Sequence, residues 1–387
     1  MATILWHFVL VIVIATLFTP NSTCAKKSKI IGMKMNMIDQ CWRWNRQWRS
    51  QRAQLANCSI GYAGKMINNI ANNNLIYYQV TDPTDDPINP KLGTLRYGAS
   101  MIQQKVWITF KTDMQITLSK PLLISSFTTI DGRGSNVHIA HNACFMIFKP
   151  TNVIIHNIRI HHCKSQGPGM VVGPNGKVIS LGQVDGDAIR LVTASKIWID
   201  HNTLHDCEDG LLDVTRGSTD VTISNNWFRN QDKVMLLGHD DGYIRDQNMK
   251  VTVVYNHFGP NCNQSMPRIR HGYAHVANNL YQGWMQYAIG GSKEPSLKSQ
   301  SNLFIAPKSG NKEVTWRESS NEENGDRWEF HSVGDVFENE ACFTATKGGR
   351  VPKPNYSEEQ RFNVLDAKSV RFLTKSSGVP RCKRAIC

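Results

Sequence analysis

Five short apolar runs that share an asparagine recur along the middle of the sequence, and this repeat constrains the fold more than any other feature. The runs read NVIIHNIRI, KIWIDHNTL, DVTISNNWF, KVTVVYNHF and YAHVANNLY. Their aligned asparagines, at intervals of 45, 24, 30 and 23 residues, are Asn157, Asn202, Asn226, Asn256 and Asn279. We interpret the period as one turn of about two dozen residues, with one double step and one loop insertion. Short strands at this period predict an all-β parallel β-helix whose coils stack on one another.

The alternative fold is a β-sandwich, which also gives many short alternating runs separated by turn residues. A sandwich does not predict asparagines that stay in phase, so the repeat favours the β-helix. Asparagine at the same corner of every coil can form a ladder of side-chain hydrogen bonds. It also tolerates the left-handed backbone conformation that such corners use.

The segments outside the repeat predict a secreted chain with an elaborated solenoid. The apolar run Phe8–Phe18 is too short to span a bilayer comfortably, and small residues follow it at Thr23-Cys24-Ala25, so residues 1–25 predict a signal peptide. A membrane anchor is the alternative. We expect an N-terminal segment with a short helix over 26–90, the β-helix over 91–310, and a C-terminal segment over 311–387 that packs on it. The mature protein is expected to be an extracellular monomer.

The number of cysteines fits a secreted protein. Of the ten cysteines, nine remain after Cys24 is removed with the signal peptide, so at least one thiol stays free. The expected disulfides are Cys41–Cys58, Cys144–Cys163 and Cys382–Cys387. Between the first two cysteines, Trp44, Trp48 and Leu55 fall at helical spacing, which predicts a short helix stapled to the body. Cys207 is expected to be a buried thiol rather than a zinc ligand.

The net charge of +13 at pH 7 indicates an acidic partner. For a secreted protein, carboxylated or sulfated polysaccharides fit this charge better than a nucleic acid. The basic arm of Lys26, Lys27, Lys29 and Lys34 is interpreted as a solvated tail with no specific role.

Four aspartates recur at the coil period and predict a cation site. VDGDAIRL places Asp185 and Asp187 two residues apart, on one face of a strand. DCEDGLLDV adds Asp209 and Asp213 about one coil later, so carboxylates from successive coils should lie close together. Oxygen ligands without histidine or cysteine favour Ca²⁺ over transition metals. The alternative is a set of solvated aspartates in turns.

The histidines are candidates for a different chemistry. His201, His239, His257, His271 and His275 fall on different coils, and no serine or cysteine nucleophile motif accompanies them. Structural hydrogen bonding is therefore their expected role.

Eight motifs resemble those of the plant pectate lyase family, which includes pollen-allergen members. They are WIDH, DGDAI, DCEDGLLDV, ISNNWF, KVMLLGHDD, VTVVYNHFGP, MPRIRHGYAHVANN and YAIGG. The resemblance runs from about Cys41 to Pro307 and is weaker beyond. It implies a right-handed parallel β-helix that cleaves de-esterified homogalacturonan, or pectate, by Ca²⁺-dependent β-elimination.

The resemblance also implies roles for residues. Asp185, Asp209 and Asp213 match the Ca²⁺ ligands, with Asp187 a further candidate, and Lys233 and Arg270 match the cations that bind substrate. Removing the C5 proton, which is α to the uronate carboxyl group, builds negative charge there. Ca²⁺ and cationic side chains stabilise that charge.

One position departs from the family pattern. The family's catalytic base is an arginine at the start of Arg-x-Pro-x-x-Arg, and the corresponding segment here is Ser265-Met266-Pro267-Arg268-Ile269-Arg270. Because a serine hydroxyl is a very poor base, Arg268, Lys233 or a hydroxide on Ca²⁺ would have to accept the proton. The change also creates the glycosylation sequon Asn263-Gln264-Ser265, beside Asn57-Cys58-Ser59 and Asn355-Tyr356-Ser357.

Three functions remain open from the sequence. The first is a working pectate lyase with weakened or rerouted base chemistry. The second is a pectate-binding protein that holds Ca²⁺ and polymer without cutting it. The third is a structural wall protein that binds pectin through basic charge, in which case the four aspartates are dispensable for binding.

Overall fold

The computed structural model describes residues 35–43, 45–71, 74–317, 329–346, 350–380, 382 and 387. The expected signal peptide, the basic arm and Trp44 lie outside these residues. Across the described ranges, no helix has the length and hydropathy needed to cross a membrane.

Three stacks of parallel strands form the body of the described chain. Sheet 1 has ten strands: Ile76–Val80, Val106–Phe110, Thr128–Asp131, Thr151–His156, Ser195–Asp200, Thr219–Ser224, Lys250–Val254, Tyr273–Ala277, Ser296–Gln300 and Glu329–Val333. Sheet 2 has eight: Leu122–Leu123, Phe145–Phe148, Ile189–Val192, Leu212–Thr215, Met235–Leu237, Arg268–Arg270, Ile289–Ser292 and Thr315–Arg317. Sheet 3 has nine: Met114–Ile116, Val137–Ala140, Arg159–His161, Thr203–His205, Trp227–Arg229, His257–Phe258, Leu280–Gln282, Leu303–Ile305 and Val336–Glu338.

Several shorter elements lie outside these three sheets. Two short pairs of strands are Gly169–Val172 with Val178–Leu181, which is antiparallel, and Gln231–Lys233 with Cys262–Gln264, which is parallel. The α-helices are Met37–Trp42 and Val370–Leu373, and Tyr97–Met101 forms a π-helical turn. The 3₁₀ turns are Arg52–Asn57, Gly61–Ala63, Ile67–Asn69, Pro174–Gly176, Ile244–Asn248, Glu358–Gln360 and Ala367–Ser369.

Between Val106 and Arg317, each coil contributes one strand to each sheet, and apolar side chains stack between coils. In sheet 1, Ile197 pairs with Val221 and Ile199 with Ile223, and all four are fully buried. In sheet 3, aromatic rings from five successive coils stack on one another, with neighbouring centroids 5.1, 4.8, 4.4 and 5.6 Å apart. They are Phe228, Phe258, Tyr281, Phe304 and Phe337. The predicted parallel β-helix is therefore confirmed, and its parallel strands run from Ile76 to Glu338.

The asparagine ladder is present, but its first member differs from the prediction. The backbone N–H of Asn202 donates to Asn226 Oδ1 at 2.9 Å, and the same bond repeats upward through Asn256, Asn279 and Asn302. The register instead places Ile158 at the ladder position of the coil below, where its N–H donates to Asn202 Oδ1. Asn157 lies one residue earlier, so its alignment with Asn202 was wrong.

The interval between these coils was also misinterpreted. Thr151–His156 pairs directly with Ser195–Asp200, so the long step is one coil with an insertion and not two coils. The insertion contains the antiparallel hairpin Gly169–Val172 and Val178–Leu181. At each ladder corner, the left-handed conformation belongs to the residue before the asparagine, such as His201 with φ 53° and Asn225 with φ 52°. The ladder asparagine is then free to hydrogen-bond across coils.

The N-terminal segment covers the outer face of sheet 1. Trp42, Trp48 and Leu55 are buried there against Trp198 and Tyr255. The segment between Cys41 and Cys58 is not one helix, because the α-helix ends at Trp42 and a 3₁₀ turn begins at Arg52. The single helix predicted from the spacing of Trp44, Trp48 and Leu55 was therefore wrong, although Trp48 and Leu55 are both buried.

The C-terminal segment packs on the same side. Leu365 N–H donates to Asn278 Oδ1 at 2.9 Å, and the Tyr356 hydroxyl lies 2.7 Å from Thr252 Oγ1. Near the end, Gly378 N–H donates to the carbonyl of Asn225.

The three expected disulfides are present: Cys41–Cys58, Cys144–Cys163 and Cys382–Cys387. Among the described cysteines, Cys207, Cys262 and Cys342 are free. Desolvation raises the pKa of the Cys207 thiol to about 12, so this half-buried group is a thiol at neutral pH.

Candidate active site

An open cleft of about 190 Å³ lies over sheet 2 and collects most of the residues that the sequence singled out. Its lining combines carboxylates, cations and one serine: Asp209, Asp213, Lys233, Ser265, Arg268 and Arg270. The strands beneath come from successive coils, since Leu212 pairs with Met235 and Leu236 with Arg268. The solenoid therefore brings together groups that are far apart in sequence.

The acidic cluster forms where two loops enter neighbouring strands of sheet 2. One oxygen atom from each of Asp185, Asp187 and Asp209 lies within 4.8 Å of the others. Asp213 follows on the strand Leu212–Thr215 and is 7% exposed. Carboxylates this close repel one another unless a cation joins them.

Asp187 is the most constrained of these carboxylates. Its Oδ1 accepts the Gly210 N–H at 2.8 Å, whereas Oδ2 is buried and accepts no hydrogen bond from the described residues. Burial, together with the charges of Asp209 and Asp185, raises the pKa of Asp187 to about 7 against the opposing charge of Arg190. A residue with a Cβ at Gly210 would come within 2.5 Å of Asp213 Oδ1, so only glycine fits between the carboxylates.

These features fit a hard divalent cation. The donor atoms are oxygens, they come from adjacent coils, and the buried Asp187 Oδ2 accepts no hydrogen bond from the described residues, with Arg190 Nη1 3.7 Å away. Burial and the neighbouring Asp187 also hold the pKa of Asp213 well above its usual range. A bound Ca²⁺ would relieve both effects, since it favours the ionised carboxylates.

Arg190 lies in the same cluster, and the sequence interpretation missed it. Its Nη1 atom is 2.9 Å from Asp185 Oδ2 and 3.7 Å from Asp187 Oδ2, and the side chain is 16% exposed. Burial disfavours the charged guanidinium, but Asp187, Asp213 and Asp185 outweigh burial and raise the pKa of Arg190. The coil period could have indicated this position, because Arg190 lies one coil before Asp213 and pairs with it in register.

The predicted substrate-binding cations are held by carboxylates on the cleft wall. Lys233 Nζ lies 3.0 Å from Asp209 Oδ1, and this hydrogen bond and charge raise the pKa of Lys233. Arg270 Nε lies 3.3 Å from Asp241 Oδ1. The backbone of Arg270 needs Gly238 beside it, since a Cβ there would come within 2.1 Å of the Arg270 carbonyl oxygen.

Ser265, at the position where the sequence resemblance predicts an arginine, lies against a tyrosine. Its side-chain Oγ lies 2.9 Å from the Tyr287 hydroxyl, and the residue is 6% exposed. Burial raises the pKa of Tyr287 against the opposing bond from Ser265 and the charge of Arg268, so the phenol is protonated at neutral pH. Neither hydroxyl is a base, and Arg268 stacks over Trp316 at 5.1 Å.

The histidines considered from the sequence do not form a catalytic group. His201 is a buried ion-pair member 2.9 Å from Asp39, and His275 lies 2.8 Å from the Tyr356 hydroxyl. His257 contacts Gln282 and His271 contacts the Asp241 carbonyl, both at 2.9 Å.

The glycosylation sequons differ in exposure. Asn57 and Asn355 are exposed, whereas Asn263 is half-buried and its amide donates to Asp232. A glycan on Asn263 would require that amide to leave its carboxylate partner.

The fold and the site together define a parallel β-helix protein with an acidic cluster and cations at an open cleft. A family model described as "Pectate lyase" matches residues 109–347. The chain is 47% identical to "Probable pectate lyase 8" of Arabidopsis thaliana over 350 residues, covering 90% of this chain and 83% of that protein. It is 46% identical to "Probable pectate lyase 20" of the same plant over 366 residues, covering 94% and 86%. The chain belongs to the pectate lyase family.

Solved structures support the same assignment. The crystal structure of jun a 1, the major allergen from cedar pollen, matches with a TM-score of 0.85 and 43% identity, covering 89% of this chain and 99% of that one. A pectate lyase bound to a hexasaccharide matches with a TM-score of 0.61 at 19% identity, covering 84% and 98%. The second likeness shows the fold alone.

Proposed function

We propose that this chain acts on pectate, the (1→4)-α-D-galacturonan of de-esterified pectin, by Ca²⁺-dependent β-elimination. The products are oligosaccharides with unsaturated 4-deoxy-galacturonosyl ends. The observation that carries the proposal is the convergence of Asp209, Asp213, Lys233 and Arg270 at one cleft, with Asp185 and Asp187 clustered against Asp209. Family membership supports the reaction class. The related fold that holds a hexasaccharide supports an oligomeric ligand.

The cation would be held by Asp185, Asp209 and Asp213, with Asp187 as a fourth ligand. When bound, Ca²⁺ supplies Lewis-acid stabilisation to the uronate carboxylate whose neighbouring carbon loses a proton. The buried Oδ2 of Asp187 accepts no hydrogen bond from the described residues and lies 3.7 Å from Arg190 Nη1, which supports a role for this residue as a ligand.

The chain's cations bind the polymer and stabilise the charge that develops on it. Lys233 and Arg270 face the carboxylates of the substrate, and their own carboxylate partners hold them in place. Because Asp209 raises the pKa of Lys233, this lysine stays protonated and does not serve as the base.

We assign acceptance of the proton to Arg268, which lies beside Ser265 in the cleft lining. The C5–H bond breaks, its electrons form the C4–C5 double bond, the C4–O4 bond breaks, and O4 takes up a proton from solvent. A guanidinium rarely gives up the proton it must first lose to act as a base. Because Arg268 is also stacked over Trp316, we expect slower turnover than in a family member whose base arginine occupies the position of Ser265.

A second function is a Ca²⁺-dependent pectate-binding protein without turnover. The Ser265–Tyr287 contact favours it, because it places two neutral hydroxyls where the family places its base.

One experiment separates these functions. The secreted protein is incubated with polygalacturonate in Ca²⁺ or in chelator, and both unsaturated uronide and bound polymer are measured, with Asp209→Asn in parallel. Chelator-sensitive product supports the lyase, and chelator-sensitive binding without product supports the second function. Binding that neither chelator nor Asp209→Asn reduces would instead support attraction by basic charge, and absence of both binding and product would contradict all three.

A further inference from the structure

Five histidines gather on the outer side of sheet 3 and the corners that follow it. They are His138, His141, His161, His162 and His205. We propose that His162, His205 and Asp206 form a surface site for a divalent transition-metal ion of the zinc or copper type. The proposal does not depend on the pectate lyase reaction, because sheet 3 and the cleft over sheet 2 use different strands of each coil.

The coil register explains why these residues meet. His161 pairs with His205 in adjacent strands, so the residues that follow them, His162 and Asp206, also lie at equivalent positions one coil apart. Neighbouring parallel strands are about 4.7–4.9 Å apart. One ligand atom from each of His162, His205 and Asp206 accordingly lies within 4.8 Å of the other two.

The donor set selects the class of ion. Imidazole nitrogen with one carboxylate oxygen suits Zn²⁺ or Cu²⁺, whereas Ca²⁺ prefers oxygen ligands throughout. Zn–N bonds are about 2.0–2.1 Å long, so neighbouring ligands on a tetrahedral ion are about 3.3 Å apart. His162 and Asp206 are exposed and His205 is half-exposed, so small side-chain rotations can close the three groups on one ion.

His161 holds two members of the site in place from behind. It is 8% exposed, and its ring stacks on His205 with centroids 4.7 Å apart and planes 6° apart. Its Nδ1 lies 2.8 Å from His162 Nδ1, and its Nε2 lies 2.8 Å from His138 Nδ1. The contact leaves His162 Nε2 for the ion, and metal-binding histidines are usually oriented by such a second contact.

The test is calorimetric titration of the intact secreted protein with Zn²⁺ and, separately, Cu²⁺. The protein carries no polyhistidine tag and is kept in Ca²⁺. We expect one stoichiometric site that the double substitution His162→Asn with His205→Asn weakens by at least about a hundredfold. His161→Phe keeps a ring for stacking but loses the contact to His162, so it should weaken binding about 10–100-fold.

Two controls locate the site. His257→Asn removes another histidine of sheet 3, which contacts Gln282 rather than the cluster, and should leave binding unchanged. Asp209→Asn alters the cleft and should also leave it unchanged. X-ray absorption of the zinc-loaded protein should show imidazole ligands.

Several results would overturn the proposal. They are the absence of a stoichiometric site in the natural sequence, equal affinity in the double variant, or loss of the site on Asp209→Asn. Thermal unfolding without metal shows whether each variant is folded. If the double variant is not, the exposed His162→Asn substitution serves by itself and should still weaken binding at least tenfold.

Discussion

At the scale of single side chains, Ser265 and Arg190 bear on the charge of the cleft and of the acidic cluster beside it. Ser265 is a neutral hydroxyl at the position where the resemblance to the family's motif predicts an arginine, and Arg190 is a cation among the carboxylates proposed to hold Ca²⁺. One unit of charge in so small a space shifts binding and rate strongly.

Placing an arginine at position 265 tests the role of Ser265. Ser265→Arg should increase the rate of unsaturated uronide release by about 10²–10⁴-fold, the usual contribution of a placed general base. Ser265→Ala is the control, because it removes the contact to Tyr287 without adding a base, and it should give no increase. A Ser265→Arg protein that binds pectate with Ca²⁺ yet stays as slow as the natural sequence would contradict this account.

Removing the positive charge of Arg190 tests the role of this residue in the acidic cluster. Arg190→Gln should strengthen Ca²⁺ binding by about tenfold or more, because Asp185 and Asp187 then lack their internal counter-charge. Without Ca²⁺ the same variant should unfold at a lower temperature, since the carboxylates repel one another. Titration calorimetry measures the affinity. Arg371→Gln, which removes an exposed arginine paired with Glu338, is matched in charge, and an equal gain there would assign the effect to net charge instead.

At the scale of the element, each coil is tied to the next by a buried asparagine. Asn226 Nδ2 donates to the Ile199 carbonyl at 2.9 Å, and its Oδ1 accepts the Asn202 N–H at 2.9 Å. Both asparagines are fully buried, so water cannot replace a lost partner.

Asn226→Ala should therefore destabilise the protein by about 1–3 kcal/mol for each buried group left unpaired. Urea unfolding gives the change in free energy. Asn136→Ala removes an exposed asparagine that bonds Arg159, and its effect should stay within about 0.5 kcal/mol. If the two variants lose the same stability, the ladder is not what joins the coils.

At the scale of the whole molecule, the N-terminal segment is joined to the solenoid by buried charge. His201 lies between Asp200, with Nδ1–Oδ2 at 2.7 Å, and Asp39 of the helix Met37–Trp42, with Nε2–Oδ1 at 2.9 Å. Trp42 packs edge-on against the His201 ring, with centroids 5.4 Å apart. The imidazolium therefore holds the helix and sheet 1 together.

This ion pair predicts a pH dependence. Burial disfavours the charged ring, but Asp200 and Asp39 outweigh burial and raise the pKa of His201 from 6.5 to about 9. Since the folded pKa exceeds the unfolded one, this stabilisation is complete below pH 6.5 and is lost as the pH rises through 9. Its size is on the order of 3 kcal/mol.

Chemical denaturation between these pH values measures the effect. His201→Gln should be less stable than the natural sequence at low pH. Its free energy of unfolding should also fall much less as the pH rises through this range. An unchanged decline in the variant would show that other groups cause it.

Prediction from the sequence was strongest where spacing along the chain carries the information. Asp185 and Asp209 were brought together by counting one coil, and the buried Trp198 was expected in a strand. Counting failed at Asn157, because an insertion of unknown length hides the register. It also failed for the helix between Cys41 and Cys58, where burial and helical continuity were taken to be the same thing.

The sequence by itself determined the coil period, the parallel fold, the disulfide pairs and the set of residues that share the cleft. The period and the approach of Asp185 to Asp209 were readable because strands of a solenoid pair at nearly constant separation, whereas Lys233, Ser265 and Arg270 were named from the resemblance to the family. Only the tertiary structure decided that Arg190 pairs with Asp185, that Ser265 contacts Tyr287, and that His162 meets Asp206. These contacts depend on the direction of each side chain and on how each corner bends, and neither property is encoded in the spacing.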